Sequence, residues 1–147
     1  MKVELEIIPG LKETEIRIRT AAFSDELQDL IGLLQCAPKV RPILGVRNHK
    51  TILLKPTGII RVFSENGAVF ADTDHGTARL KMRLYEAEEL LPSRQFIRIS
   101  KSEIVNIERI ESFDLSMSGT ILIQMKNGAK AWVSRRYVSR VREAFGL

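Results

Sequence analysis

Cysteine is nearly absent, with Cys36 the only one in 147 residues. A single thiol closes no disulfide within the chain and has no partners at metal-ligand spacing, so a reduced, cytoplasmic setting is expected. Histidine is almost as scarce. His49 and His75 stand at no catalytic spacing from a serine, cysteine or carboxylate, and Asp74-His75-Gly76 reads as a turn tripeptide. Asp72 and Asp74 lack the offset glycine and the terminal bidentate glutamate of a calcium loop. There is no phosphate-cradling glycine loop and no dinucleotide fingerprint. These absences leave no cofactor to argue for and no enzymatic chemistry. No apolar run approaches the ~20 residues of a membrane span, and the first residues alternate charge instead of forming a signal-peptide core. Internal repeats and low-complexity tracts are also lacking.

Hydrophobic residues make up 44% of the chain, ample for a packed core in one domain with a modest extension. Lysine and arginine number 23 against 18 acidic residues, a net charge of +5 that favours an acidic partner. Its placement matters more than its size. Lys130, Arg135, Arg136, Arg140 and Arg142 crowd the C-terminal end with only Glu143 opposing them, which marks a candidate phosphate-facing surface.

Along the chain, Val3, Leu5 and Ile7 alternate with charged residues, and so do Ile16 and Ile18 after a Pro9-Gly10 turn, which predicts a hairpin. Ser24 then caps a helix whose Leu27, Leu30, Ile31 and Leu34 form one stripe. This ββα segment is too small to cover a core alone, so packing of the helix on the hairpin competes with a homodimer contact. Pro38 and Pro42 flank a break, which divides the chain into residues 1–42 and 43–147. From Ile43 onward the period stays near two. Strands are expected at Thr51–Lys55, Gly58–Phe63, Ala68–Asp72, Ala78–Leu84, Phe96–Ile99, Ile104–Ile107, Thr120–Lys126 and Ala129–Val133, with Asn66-Gly67 and Asn127-Gly128 as hairpin turns. A short helix is expected at Glu86–Leu91. Ser134 then caps a final helix, with Tyr137, Val138, Val141, Ala144 and Phe145 on one face and arginines around the rest. The class is α+β, strand-dominated.

Two motifs carry a resemblance. Phe96, Arg98, Ser102, Val105 and Asn106 lie in Phe-Ile-Arg-Ile-Ser-Lys-Ser-Glu-Ile-Val-Asn, and the Asn127-Gly128 turn is followed by Ser134-Arg135-Arg136-Tyr137. The chain from about Val46 to Leu147 resembles the LytTR family, the DNA-binding output domain of many bacterial response regulators. One position departs, since the usual histidine of the first motif is Ser100. The resemblance implies an elongated antiparallel β domain with small helices that holds double-stranded DNA through inter-strand loops reaching two successive major grooves and the minor groove between them.

Carried over by position, the loops are Ser64–Gly67, Ser100–Ser102 and Ser134–Arg136. The DNA-binding residues implied are Asn66, Ser100, Lys101, Ser102, Ser134, Arg135 and Arg136, with Arg98, Arg94 and Arg140 as further phosphate candidates. Glu65 in the first loop would repel phosphate. About forty-five residues ahead of the domain cannot form a phosphorylatable receiver, so a stand-alone transcriptional regulator is expected. Direct repeats in a promoter are its implied target. A membrane-bound antagonist protein is an implied partner. Two rivals compete: an RNA-binding β domain, for which only Trp132, on the strand face of Lys130, offers an outlying aromatic, and an interaction or ligand-sensing protein that binds no nucleic acid.

Overall fold

The computed structural model describes residues 4, 6–12, 15–35 and 42–147, and the chain divides into two compact units, Met1–Ala37 and Pro38–Leu147. Among the described residues of the first unit one helix is present, α1 (Asp25–Gln35). The Ser24 hydroxyl accepts from the Leu27 amide at 3.2 Å, satisfying one of the orphan donors of its first turn. Leu27, Leu30, Ile31 and Leu34 are each only half-buried.

The expected N-terminal hairpin is corrected among the described residues: positions 6–8 and 15–20 form no strand. Val3 and Leu5 lie outside the described residues, as do Cys36, Pro38, Lys39 and Arg41. Ile7 is 82% exposed and Ile16 63%. Alternation alone does not hold such a hairpin, because two strands without a third or a covering layer are marginal in water.

The second unit is built on a seven-stranded antiparallel sheet. Its strands are β1 (Ile43–Arg47), β2 (Lys50–Leu54), β3 (Ile59–Glu65), β4 (Ala68–Thr73), β5 (Gly76–Leu80), β6 (Phe96–Arg98) and β7 (Glu103–Asn106), in the order β2-β1-β5-β4-β3-β7-β6. A second sheet, ordered β10-β9-β8, holds β8 (Ile110–Asp114), β9 (Ile121–Met125) and β10 (Lys130–Val133). Helix α2 (Leu84–Leu90) follows β5, and α3 (Arg135–Phe145) ends the chain.

Two cores result. Leu84, Ala87 and Leu91 from α2 and its C-terminal end pack with Ile59, Val62, Ala71, Leu80 and Ile104. On the other side, Ile60, Ile97, Ile99 and Val105 pack with Ile121, Ile123, Met125 and Val133 of the second sheet and Val141 of α3. Successive residues of β6 and β7 therefore serve opposite cores: Phe96 and Ile104 one, Ile97 and Val105 the other. Each such side chain contributes about 1.5–3 kcal/mol by leaving water, so these two strands, buried on both faces, fix where the β6–β7 corner sits.

Two expectations are redrawn. The run of alternating residues read as a strand through Leu84 stops at Leu80, and α2 begins at Leu84, where Glu86 accepts from the Arg83 amide at 3.1 Å. Leu84, Ala87 and Leu91 have helical rather than strand spacing. Strand β8 was not foreseen; its pairing with β9 shifts register between Ile110 and Ser112, which breaks the period of two.

Candidate nucleic-acid interface

Backbone hydrogen bonds join the three segments singled out in the sequence. The first, Ser64–Gly67, is the β3–β4 turn, where Asn66 and Gly67 both take positive φ (50° and 75°), as a tight two-residue hairpin needs. The Ser64 amide donates to the Ser102 carbonyl at 2.8 Å. Ser102 closes the second segment, the β6–β7 corner, in which the Ser102 amide donates to the Ser100 hydroxyl at 3.2 Å. The third segment leads from β10 into α3, and the Ser134 amide donates to the Ile99 carbonyl at 2.9 Å. Asn66, Ser100, Lys101, Ser102, Ser134, Arg135 and Arg136 thus stand on three segments stitched side by side.

Their surroundings differ in charge. Lys101, Arg135, Arg136 and Arg140 are exposed, and among the described residues none of their side chains makes a hydrogen bond or ion pair. Arg135 and Arg136 occupy the first turn of α3, whose free backbone donors add to their positive potential. Arg140 lies a turn further on and lines a cavity of about 210 Å³ with Glu88, Phe96 and Arg98. Ser134 holds the cap position of α3, yet its hydroxyl makes no capping hydrogen bond. Glu65 and Arg94 are exposed.

Arg98 is placed differently from the other arginines. Its side chain is 14% exposed and all three of its nitrogens are engaged: Nε donates to the Ser100 carbonyl at 2.8 Å, one terminal nitrogen to the Lys101 carbonyl at 2.6 Å, and the other to Glu88 at 2.7 Å. Sequence reasoning gave no hint of this, because two of the partners are backbone atoms and the third lies on another element.

A second arginine, Arg61, was missed altogether. It donates to Asp72 at 2.7 Å and to Glu103 at 2.9 Å, tying β4 to β7 across β3, and its guanidinium lies 4.5 Å from the Phe63 ring centroid. A signal was available: counting outward from a two-residue Asn-Gly turn pairs Arg61 with Asp72. Burial pushes the Glu103 carboxyl above its ordinary range, offset only in part by Arg61. Asp74 meets Arg109 at 2.8 Å through both oxygens, so both aspartates of the discounted calcium pattern are occupied by arginine. Among the described residues no cluster of His, Cys, Asp or Glu could hold a metal, and no helix is long and apolar enough to cross a membrane.

Exposed aromatics are few. Trp132 is 55% exposed on β10 beside Lys130, while Phe63 and Phe70 stack on each other, half-buried.

A fold of two antiparallel sheets, with basic residues gathered on joined inter-strand segments, defines a β-built surface suited to an anionic polymer. The profile of the LytTr DNA-binding domain matches residues 49–146, and the chain belongs to that family. It is 33% identical, over all of its length and 99% of theirs, to uncharacterised HTH-type transcriptional regulators of Staphylococcus aureus strains NCTC 8325 / PS 47 and COL. Among solved structures it resembles the LytTr DNA-binding domain of a protein from Bacillus cereus described as a methyl-accepting/DNA response regulator. That match has 26% identity and a TM-score of 0.69, and it covers 73% of this chain and 99% of that one. In the present chain α2 and α3 are separated by five strands, so no helix-turn-helix occurs among the described residues of the second unit.

Proposed function

We propose that the chain is a transcriptional regulator that grips double-stranded DNA through Ser64–Gly67, Ser100–Ser102 and Ser134–Arg136. The observation carrying this reading is the pair of backbone hydrogen bonds, Ser64 to Ser102 and Ser134 to Ile99, that bind the three segments together beneath uncommitted, exposed Lys101, Arg135 and Arg136. Ser100, Ser102 and Ser134 supply hydroxyls suited to phosphate oxygens, and Asn66 supplies an amide at the tip of the first turn. Arg140 serves the flanking backbone. Direct repeats in a promoter suit one such domain per repeat, and the cytoplasm is where that DNA lies.

Fluorescence anisotropy on the upstream DNA of the protein's own gene, against scrambled duplex and across a salt series, tests the reading. Wild type is expected to prefer its own DNA and to weaken with salt. Arg136→Ala or Lys101→Ala is expected to cost about 1–3 kcal/mol, with relaxed selectivity where a base contact is lost. Equal, weak binding to both duplexes with no effect of either substitution would remove DNA reading. Displacement of duplex by RNA would favour the single-strand alternative, which the scarcity of exposed aromatic side chains disfavours.

For the N-terminal unit we infer a protein contact, supported by the exposure of Ile7, Ile16 and Phe23 and by the half-buried stripe of α1. The occupant we favour is a second copy of the chain. Gel filtration that finds a dimer after removal of residues 1–40 would overturn this; loss of the dimer supports it. A membrane-bound antagonist is the other partner the same surface would suit.

A further inference from the structure

We infer that Arg98 is a positioning residue for the β6–β7 corner and that Glu88, on α2, holds it there. The inference rests on the DNA-reading proposal and revises one part of it, since the exposure-blind expectation for Arg98 was a phosphate contact.

The geometry carries the argument. A guanidinium is planar, permanently charged, and presents its donors in a fixed fork. Here the fork spans two successive carbonyls, those of Ser100 and Lys101, at 2.8 and 2.6 Å. Drawing both oxygens to one cation turns the two peptide groups inward, while the Lys101 side chain is left exposed. The remaining arm meets Glu88 at 2.7 Å. A lysine in this place would be a point charge without the spread to hold both carbonyls and a carboxylate.

Glu88 sits one residue past Ala87, which is wholly buried in the first core. A continuous path therefore runs from that core through α2, Glu88 and Arg98 to the exposed corner. It gives Glu88 an effect opposite in sign to its charge. As an acid near a surface that binds an anion, its removal should strengthen binding to any DNA. As the anchor of Arg98, its removal should loosen the corner and erode discrimination between sequences.

The test uses the full chain with Arg98→Lys, Arg98→Ala and Glu88→Gln. Anisotropy is measured on the preferred and the scrambled duplex across salt, and hydrogen exchange of the Ser100–Ser102 amides is measured without DNA. Arg98→Lys and Glu88→Gln are expected to lower the preferred-to-scrambled ratio by about tenfold. The slope of log affinity against log salt should stay as in wild type, and corner amides should exchange faster in both variants. Three results overturn the inference: unchanged selectivity and exchange in Arg98→Lys; equal weakening on both duplexes in Arg98→Ala with the salt slope reduced by about one, the mark of a lost phosphate contact; or uniformly tighter binding by Glu88→Gln with selectivity intact. Should wild type itself fail to discriminate, the DNA-reading proposal falls. Faster exchange in the variants would then still support the Arg98 clamp, and unchanged exchange would overturn it.

Discussion

Asn106, wholly buried at the end of β7, donates from Nδ2 to the Ile59 carbonyl at 2.7 Å and accepts on Oδ1 from the Glu108 amide at 3.0 Å. One side chain thus satisfies two backbone groups that β-pairing leaves open, at the point where β3 meets β7. Asn106→Leu would fill the space and strand both groups. Leaving a buried donor or acceptor unpaired costs about 1–3 kcal/mol each, so urea unfolding should show a clear drop in midpoint with little change in slope. A variant as stable as wild type would mean that water replaces the amide.

A second packing constraint lies on β1. Gly45 faces Ile52 and Leu80 on its two neighbours, and a Cβ added there would stand 2.9 Å from the Ala78 Cβ and 3.0 Å from Leu54 Cδ1. The leucine end can turn aside, but the alanine Cβ is fixed to its strand. Gly45→Ala is expected to destabilise the second unit by about 1–3 kcal/mol, measured as a lower urea midpoint. An unchanged midpoint would show that β1 shifts freely against β5.

Where the sequence carried a strong local rule, the fold was legible. Asn66-Gly67 located β3–β4, because a two-residue turn demands residues that accept positive φ, and Asn127-Gly128 located β9–β10, where a three-residue loop needs positive φ at Gly128 alone. Apolar alternation failed where two elements feed one core. Leu80 ends a strand and Leu84 opens a helix, yet both bury in the first core, so the spacing of Ala78, Leu80, Met82 and Leu84 runs unbroken across the bend at Lys81 and Met82. The bulge between Ile110 and Ser112 hid β8 in the opposite way, by disrupting a period that was there. Of the candidate site, the motifs placed Lys101, Ser134 and Arg136 on their segments. The role of Arg98 was out of reach, since a side chain bonded to backbone carbonyls leaves no mark in residue types.

Glu103 predicts how stability responds to acid. Burial raises its folded carboxyl above the ordinary value of 4.5, with Arg61 opposing. The folded chain therefore holds that proton more tightly than the unfolded chain. As pH rises from the unfolded value to the raised folded one, the unfolded state ionises first, and the Glu103 contribution to stability falls before levelling off above the folded value. Asp114 behaves with the opposite sign: hydrogen bonds from Ser116 lower its carboxyl, so its contribution is present above the ordinary value of 3.8 and is lost as pH falls through the depressed one. Urea midpoints of wild type and Glu103→Gln between about pH 4 and about pH 7 separate the two. The substitution keeps a carbonyl oxygen for Arg61 and should flatten the decline in that window; parallel curves would assign it to another group.

Ser134 separates fold from function most cleanly. It occupies the cap position of α3, but its hydroxyl makes no capping bond, and what it gives the structure comes from the backbone: its amide to Ile99 and its carbonyl accepting from Tyr137 at 2.8 Å. Ser24 is the contrast, since its hydroxyl does accept from Leu27. A capping serine replaced by alanine typically costs about 1 kcal/mol. Ser134→Ala should instead shift stability by less than about 0.5 kcal/mol, as at an uncommitted surface site. If the hydroxyl is free because it serves a phosphate oxygen, the same variant should lose about 0.5–1.5 kcal/mol of affinity for preferred and scrambled duplex alike. Thermal unfolding and anisotropy on one preparation decide it: a large stability loss with unchanged affinity would make Ser134 a cap, and a stable protein that binds both duplexes less well places its hydroxyl on the DNA backbone.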